Sequence, residues 1–149
     1  MGVDHEIVPC DPALADTAAF CEAYGYSPDD SANTIIVVGK GEVPRPVACI
    51  VLASSRLDVN GVVRRRLEVR KASFASADET MQLTGMEIGG VTAFALPEDL
   101  PIWIDAAVMV RQRIILGGGS RSIKVLTPPS SLALLDNASV VDDLARPRE

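Results

Sequence analysis

Two runs of consecutive apolar residues constrain the fold of this chain more than any other feature of its sequence. They span residues 34–38 and 47–53, and a turn rich in glycine and proline separates them. Both contain β-branched side chains, and neither alternates between apolar and polar residues, which is typical of strands covered on both faces. The two runs therefore predict buried strands in a sheet that has other elements packed against it.

Helix signals and shorter strand signals alternate along the rest of the chain. Asp11 and Pro12 are typical of a helix start and Gly25 of a helix end, while residues 76–79 form a capping-box pattern. Asp58 predicts another helix start. Short strands are predicted at 72–75, 90–95, 102–105, 113–116 and 122–126, and a last helix at 128–135. The predicted fold class is mixed α/β, with a single curved, barrel-like mixed sheet and helices packed outside it.

The composition agrees with one globular domain that spans residues 1–149. Hydrophobic residues make up 48% of the chain and charged residues 23%, close to the average of folded domains. No apolar run approaches the ~20 residues of a membrane helix. Residues 1–9 lack the basic start of a secretory signal. We therefore expect a cytoplasmic protein that does not act at a membrane.

The formal net charge of −6 argues against general binding to nucleic-acid phosphates. A protein that grips only the single-stranded end of an RNA is compatible with this charge, because it needs a pocket and a few local cations. The densest basic stretch comprises Arg64, Arg65, Arg66, Arg70 and Lys71. A solvated helix face explains the same stretch, and composition alone favours that interpretation.

Most common catalytic motifs are missing from the sequence. His5 is the only histidine, so a Ser-His-Asp or Cys-His arrangement would depend on one residue near the N-terminus. Cys10, Cys21 and Cys49 are odd in number and widely spaced. We expect reduced thiols, with at least Cys21 and Cys49 in the core, and neither a disulfide nor a zinc site. The glycine-rich segments match neither a phosphate-binding loop nor a dinucleotide fingerprint. The sequence thus predicts no metal and no cofactor.

Two glycine-rich loops and one acidic residue remain as candidate site features. The loops span residues 84–92 and 117–120, and Asp105 follows the apolar segment 102–104. Glycine lets backbone N–H groups face a ligand without an intervening Cβ. Turn geometry and an exposed strand end explain the same features without a ligand. The residues alone leave both interpretations open.

The order of these features resembles the YbaK/ProX family, which includes the editing domain of bacterial prolyl-tRNA synthetases and its free-standing relatives. The similarity covers almost the whole chain. It rests on residues 10–13 (CDPA), 32–35 (ANTI), 84–92 (TGMEIGGVT), 100–101 (LP), 104–105 (ID) and 118–121 (GGSR). The segment 84–92 is the most specific, because it resembles the family pattern Thr-Gly-Tyr-x-x-Gly-Gly-x-Ser-Pro.

The resemblance implies hydrolysis of the ester that joins a wrongly attached amino acid to the 3′ end of a tRNA. Such an ester is already activated, so a bound water and backbone donors, each worth roughly 3 kcal/mol as an oxyanion contact, can suffice. The implied partner is the 3′ end of an aminoacyl-tRNA, with an aminoacyl-tRNA synthetase as a second candidate. The implied catalytic residues are Asn33, Gly89, Gly90 and Asp105. The implied substrate-binding residues are Thr92, Ala93, Gly118, Gly119, Ser120, Arg121 and Lys71. We expect the residues of the two loops, Asn33 and Asp105 to converge on one concave site, and Asp105 to matter more for that site than for folding.

Two positions depart from the family pattern. The family's characteristic lysine, which precedes a threonine on the first long strand, corresponds to Asn33, and the loop proline corresponds to Ala93. Asparagine brings no positive charge, and alanine does not fix the loop as proline does. Two functions therefore stay open. One is a trans-acting deacylase for a tRNA mischarged with a small amino acid; the other is a catalytically weak binding module for an aminoacyl or nucleotide ligand or for a synthetase.

Overall fold

The computed structural model describes residues 5–87 and 90–147. Its strands are β1 (Glu6–Pro9), β2 (Ala32–Lys40), β3 (Arg45–Leu52), β4 (Ser55–Leu57), β5 (Lys71–Phe74), β6 (Ile102–Asp105), β7 (Ile114–Gly117), β8 (Ile123–Thr127), β9 (Ala138–Val141) and β10 (Ala145–Pro147). Its α-helices are α1 (Thr17–Tyr24), α2 (Arg64–Leu67), α3 (Ala77–Thr84) and α4 (Ala106–Met109). Short 3₁₀ helices cover Pro12–Leu14, Pro28–Asp30, Ala93–Ala95 and Pro129–Leu134, and a π-type turn, Val59–Val63, leads into α2.

The strands form three sheets rather than one. The largest is mixed and has the order β5-β2-β3-β6-β9, while β1-β8-β7 form an antiparallel sheet and β4 pairs with β10. The prediction of a mixed α/β fold is confirmed, and that of a single barrel-like sheet is wrong. Within the described residues the ladders do not close, because the three-stranded sheet meets the five-stranded sheet through one isolated bridge, between Ile115 and Ser31, the residue just before β2.

The five-stranded sheet is buried on both faces at its centre, as the two apolar runs predict. β2 and β3 pair antiparallel along most of their length, and β6 joins β3 in parallel. Side chains alternate between the faces of a sheet. Ile36 and Ile50 therefore lie in the core on one face, whereas Val37 and Val51 lie in the core on the other.

Local hydrogen bonds set several of the predicted helix boundaries. Ser76 Oγ accepts from the Glu79 N–H at 3.1 Å, and Glu79 Oε1 accepts from the Ser76 N–H at 3.0 Å, which completes the predicted capping box. Gly25 and Gly85 end α1 and α3 with φ angles of 77° and 72°, a left-handed conformation that favours glycine. Asp58 accepts from two backbone N–H groups of the following turn, as expected of an N-cap.

The segment 90–95, predicted as a strand, is a loop that contains one turn of 3₁₀ helix. Thr92 Oγ1 accepts from the Phe94 N–H at 3.4 Å and caps the turn Ala93–Ala95. A threonine that bonds its own backbone in this way competes with strand pairing. The sequence patterns also do not predict β1, β4, β9 and β10, because these strands are short and contain exposed residues.

The α-helices are short and pack on the outside of the sheets. α1 and α3 have eight residues each, and no helix in the part of the chain that the structure describes is long and apolar enough to cross a membrane. α1 packs on the three-stranded sheet through Phe20, which lies in a core with Ile115 and stacks on Tyr24 and Tyr26.

Candidate functional site

A cleft of about 300 Å³ lies along one edge of β2, and we term it the β2 cleft. It exists because β5 pairs with β2 only at residues 37–40, so that in the described chain the edge at 32–36 is left without a long strand partner. The residues that line it are Asp16, Thr17, Ala32, Asn33, Thr34, Ile35, Ile36, Phe74, Ala75, Thr80, Val91, Gly117 and Lys124.

Thr34 brings three polar groups to the β2 cleft. Two hydrogen bonds show which way the backbone groups of this segment point. The Ser31 carbonyl points to the β3 side, where it accepts from the Ala53 N–H, whereas the Ile36 carbonyl points to the β5 side, where it accepts from the Ala75 N–H. Backbone groups alternate in direction along a strand, so the N–H and C=O of Thr34 point towards the cleft edge. Its Oγ1 is buried and has no hydrogen-bond partner among the described residues. A bound ligand or water would satisfy such a group.

Asn33 is held at the cleft by the start of α1. The Thr17 hydroxyl donates to Asn33 Oδ1, which leaves the amide NH₂ as the donor end of the side chain. Asp16, the N-cap of α1, makes no capping bond with its side chain, and its carboxylate pairs with Arg121 at 3.2 Å. Arg121 Nε also donates to the Pro12 carbonyl at 3.1 Å. The predicted residues Asn33 and Arg121 are thus linked through α1.

Lys124 is a cleft residue that sequence reasoning missed. It lies on β8, is 6% exposed, and donates from Nζ to the Ala15 carbonyl at 2.7 Å. The ammonium also lies 5.2 Å from the centre of the Phe20 ring. Burial lowers the pKa of Lys124, and the nearby Cys10 and Asp16 partly oppose this shift. The sequence does show a lysine between apolar residues of a predicted strand. Because side chains alternate between the two faces of a strand, that pattern predicts a lysine in solvent rather than in a cleft.

The two glycine-rich loops lie against each other. A Cβ on Gly117 would be 2.1 Å from the Val91 carbonyl oxygen, and a Cβ on Gly90 would be 2.6 Å from the Ser120 carbonyl carbon. The Gly119 N–H donates to the Gly90 carbonyl at 2.8 Å. Close approach of the two backbones therefore accounts for glycine at positions 90 and 117.

The predicted oxyanion donors are only partly visible. The Gly90 N–H donates to the Glu87 carbonyl at 2.9 Å, so in this conformation it serves the loop itself. Gly89 lies outside the described residues. The N–H of Gly90 is therefore not directed at the cleft. The polar groups of β2 are among the described groups that can contact a ligand there.

A second cavity, of about 280 Å³, borders the same loop contact. Val91 and Gly117 line the β2 cleft, and the next residue of each loop, Thr92 and Gly118, lines the second cavity. The other residues that line the second cavity are His5, Ile7, Phe94, Ala95 and Val125. The contact between the loops, residues 90–92 with 117–119, is therefore the partition between the two cavities.

The predicted site residues do not all share one concave site. Asn33 lines the β2 cleft, whereas Thr92 and Gly118 line the second cavity. Ala93 is a core residue, and Lys71 is exposed at the start of β5. The residues on the loops at and beside the partition are Gly90, Gly119, Ser120 and Arg121.

Asp105 lies in the core beside β10 rather than in the concave site expected for it. It is 3% exposed, and its carboxylate accepts from the backbone N–H groups of Ala145 and Leu144. Burial raises the pKa of Asp105 and the nearby Asp143 adds to the rise, whereas hydrogen bonds from the backbone of Ala145, Leu144 and Ala106 oppose it. Neither cavity has Asp105 in its described lining, and β3 separates β6 from Asn33 on β2. The strand end is closed by the C-terminal segment, so it opens onto no site.

Metal-binding and thiol chemistry find little support in residues 5–87 and 90–147. No group of three or more His, Cys, Asp or Glu side chains there is arranged to hold a metal ion. Cys10, Cys21 and Cys49 are buried free thiols, which confirms the prediction for Cys21 and Cys49.

Comparison with known proteins identifies the family of this fold. The profile of the aminoacyl-tRNA editing domain matches residues 11–133. The chain belongs to this family. The match confirms the resemblance to YbaK/ProX proteins and spans both the β2 cleft and the partition of this editing domain.

The similarity to known relatives of the editing domain extends over nearly the whole chain. The uncharacterized protein YwhH of Bacillus subtilis (strain 168) is 23% identical over 143 residues, which cover 96% of this chain and 88% of that protein. The hypothetical protein APE2540 has a crystal structure with a TM-score of 0.84 at 23% identity, over 97% of this chain and 93% of that one. A candidate trans-editing enzyme for prolyl tRNA synthetase gives a TM-score of 0.80 at 22% identity, over 97% and 87%. At these identities the structural matches establish the fold.

Proposed function

We propose that this editing domain acts in trans on a tRNA that carries a wrong, small amino acid and hydrolyses the ester at the tRNA 3′ end. The observation that supports the proposal most directly is the β2 cleft, where Thr17, Asn33 and Thr34 bring polar groups into about 300 Å³. Family membership supplies the reaction class. The volume lies at the small end of ligand cavities, which favours a small acyl group.

The proposed reaction needs no protein nucleophile, because the ester is activated. The oxygen of a water molecule bonds to the carbonyl carbon, the bond from that carbon to the ribose oxygen breaks, and the ribose oxygen takes a proton from the water. The Asn33 NH₂ can donate a hydrogen bond to the carbonyl oxygen, and the backbone groups of Thr34 at the cleft edge can orient the water. The products are a free amino acid and a tRNA with a free terminal hydroxyl.

Only the end of the tRNA needs to contact the protein, which is consistent with the net charge of −6. Phe74 lines the β2 cleft and is 58% exposed. An exposed ring at such a position can stack on a terminal base. Lys71 on the same strand is an exposed cation that can contact a phosphate. We propose that this edge of the protein receives the tRNA end, and that it does so in the cytoplasm.

A deacylation assay tests the proposal. The purified protein is mixed with tRNAs that carry alternative amino acids, so that each tRNA bears a small residue in one sample and a large residue in another. We expect loss of the ester above its spontaneous rate for at least one small amino acid, and slower loss for the large residue on the same tRNA. A panel without enzyme-dependent hydrolysis contradicts the proposal, and heat-inactivated protein provides the baseline.

A catalytically weak binding module is the second candidate, and Asn33 favours it because this position lacks the family's lysine. An adenosine that carries the amino acid through an amide instead of an ester separates the two functions. Calorimetric binding of this analogue, together with no hydrolysis of any ester, would support the module. Co-elution with a purified aminoacyl-tRNA synthetase would identify the alternative partner.

A further inference from the structure

Lys124 places a buried cation in the β2 cleft. It is 6% exposed and lines the cleft together with Asn33 and Thr34. Its partner in register on β7 is Gly117, which has no side chain to fill the space beside it and which also lines the cleft. Burial of an ammonium opposes folding, and the flanking positions of β8 are apolar. A lysine kept at such a cost in a cavity points to a role in function.

The fold holds this ammonium in a defined position. One of its three N–H donors is directed at the Ala15 carbonyl, 2.7 Å away, and the Phe20 ring lies beneath it at 5.2 Å. Ala15 is two residues before Thr17, whose hydroxyl holds Asn33. The cation and the Asn33 amide are therefore positioned by the same short segment at the start of α1. A cation fixed in this way needs no reorganisation when a negative charge forms near it.

We propose that Lys124 is a catalytic residue of the β2 cleft, and that its ammonium binds the carbonyl oxygen of the ester and stabilises the negative charge that forms there. The inference rests on the deacylase function proposed above. As the water oxygen bonds to the carbonyl carbon, the electron pair of the C=O bond moves onto the carbonyl oxygen. It returns when the ester bond breaks, and the ribose oxygen takes the water's proton. The ammonium keeps its own protons throughout.

This role accounts for an uncharged residue at position 33. Two ammonium groups within a cleft of about 300 Å³ would repel each other. A cation supplied from β8 therefore makes a lysine on β2 unnecessary and unfavourable. It follows that Asn33→Lys should raise kcat only when the residue at position 124 is neutral.

The experiment compares Lys124→Met, Lys124→Gln, Asn33→Lys and the double variant Asn33→Lys/Lys124→Met on the best substrate of the deacylation panel. Lys40→Met is the matched control, because Lys40 is exposed at the end of β2 and outside the cleft. Circular dichroism and thermal melting confirm the fold of each variant, and Lys124→Gln decides if Lys124→Met does not fold. We expect kcat to fall roughly 100-fold in both Lys124 variants with KM changed only a few-fold, as for the loss of one oxyanion contact. The double variant should recover at least tenfold of that loss, and Lys40→Met should match the wild type.

Three results overturn the inference. A folded Lys124 variant with the wild-type kcat shows that the ammonium does not act in the reaction, while the deacylase function stands. A rise in KM without a fall in kcat shows that Lys124 serves binding alone. If the wild type hydrolyses no ester of the panel, the deacylase function fails, and the inference that rests on it falls as well.

Discussion

The hydroxyl of Thr17 donates a hydrogen bond to the amide oxygen of Asn33, and this bond ties the first turn of α1 to β2 at the edge of the β2 cleft. With its oxygen engaged, the amide can turn only its NH₂ group towards a ligand. Thr17 thereby determines which group of the Asn33 side chain faces the cleft. The pair behaves as one unit, and its two members should respond together to substitution.

Thr17→Val tests this unit, because valine keeps the shape of threonine and removes the donor. We expect kcat for deacylation to fall about tenfold, since the Asn33 amide loses its fixed orientation. The free energy of unfolding should change by about 1 kcal/mol, the net value of one hydrogen bond. Thr17→Ser retains the hydroxyl and is the control. Equal activity of the two variants would show that the orientation of Asn33 is irrelevant.

Phe74→Ala should weaken substrate binding rather than slow the chemical step. The ring is 58% exposed at the rim of the β2 cleft, so its loss leaves the core intact. Loss of one base-stacking contact of about 1–3 kcal/mol predicts a roughly tenfold rise in KM for the charged tRNA with kcat nearly unchanged. Val110→Ala, at an exposed position outside both described cavities, serves as the control. An unchanged KM would remove the tRNA end from this edge.

Asp105→Ala should destabilise the protein. The substitution leaves the backbone N–H groups of Leu144 and Ala145 without their acceptor in a buried place, at a cost of about 2–4 kcal/mol. Urea unfolding followed by circular dichroism measures the change, and the exposed Asp99→Ala is the control. Normal stability combined with lost deacylation would show that Asp105 acts in the site, as the family resemblance implies.

Gly117→Ala tests the partition. The added methyl group would lie 2.1 Å from the Val91 carbonyl oxygen, so the two loops must separate. We expect a loss of about 3 kcal/mol in the free energy of unfolding, together with a loss of deacylation. Gly41→Ala, whose methyl group would have 3.8 Å to its nearest neighbour, should change stability by less than about 1 kcal/mol. Similar melting temperatures for the two variants would show that the loops do not need close contact.

Cys49 makes stability depend on pH in the alkaline range. Cys49 lies on the central strand β3, its thiol is buried in the core, and burial raises its pKa from 9.0 to about 12. Above pH 9 the unfolded chain loses this proton while the folded protein keeps it, so stability falls as the pH rises towards 12. The loss from this thiol should be about 1 kcal/mol at pH 10. The free energy of unfolding at pH 8 and at pH 10 measures this loss. In Cys49→Ala the decrease between the two pH values should be smaller than in the wild type by the contribution of this thiol.

The parts of the fold that follow from the sequence are those set by neighbours in the chain. The apolar run at 34–38 marks a strand whatever packs on it, and Ser76 and Glu79 form their capping box within a single turn. The two loops that the family pattern marks meet at the partition, and whether they bind a substrate stays a prediction. Local patterns fail at Thr92, where a side-chain bond to the backbone replaces the predicted strand.

The parts that do not follow from the sequence depend on partners far along the chain. Lys124 lies in the cleft because its ammonium donates a hydrogen bond to the carbonyl of Ala15, 109 residues away in the chain. Asp105 is buried because the segment at Leu144 folds over it, and a carboxylate at a strand end gives no sign of that cover. The same limit applies to Asn33, whose amide is oriented by a hydrogen bond from Thr17, 16 residues earlier in the chain.

The partition is the thickness of two touching backbones, and that thickness cannot change without breaking the contact between Gly117 and Val91. It therefore acts as a ruler. The distance between the β2 cleft and the cavity beside Thr92 and Gly118 is set by peptide geometry and not by flexible side chains, so a molecule that reached into both would have to match it. Side chains around either cavity can vary with the ligand, while the separation between the two stays constant.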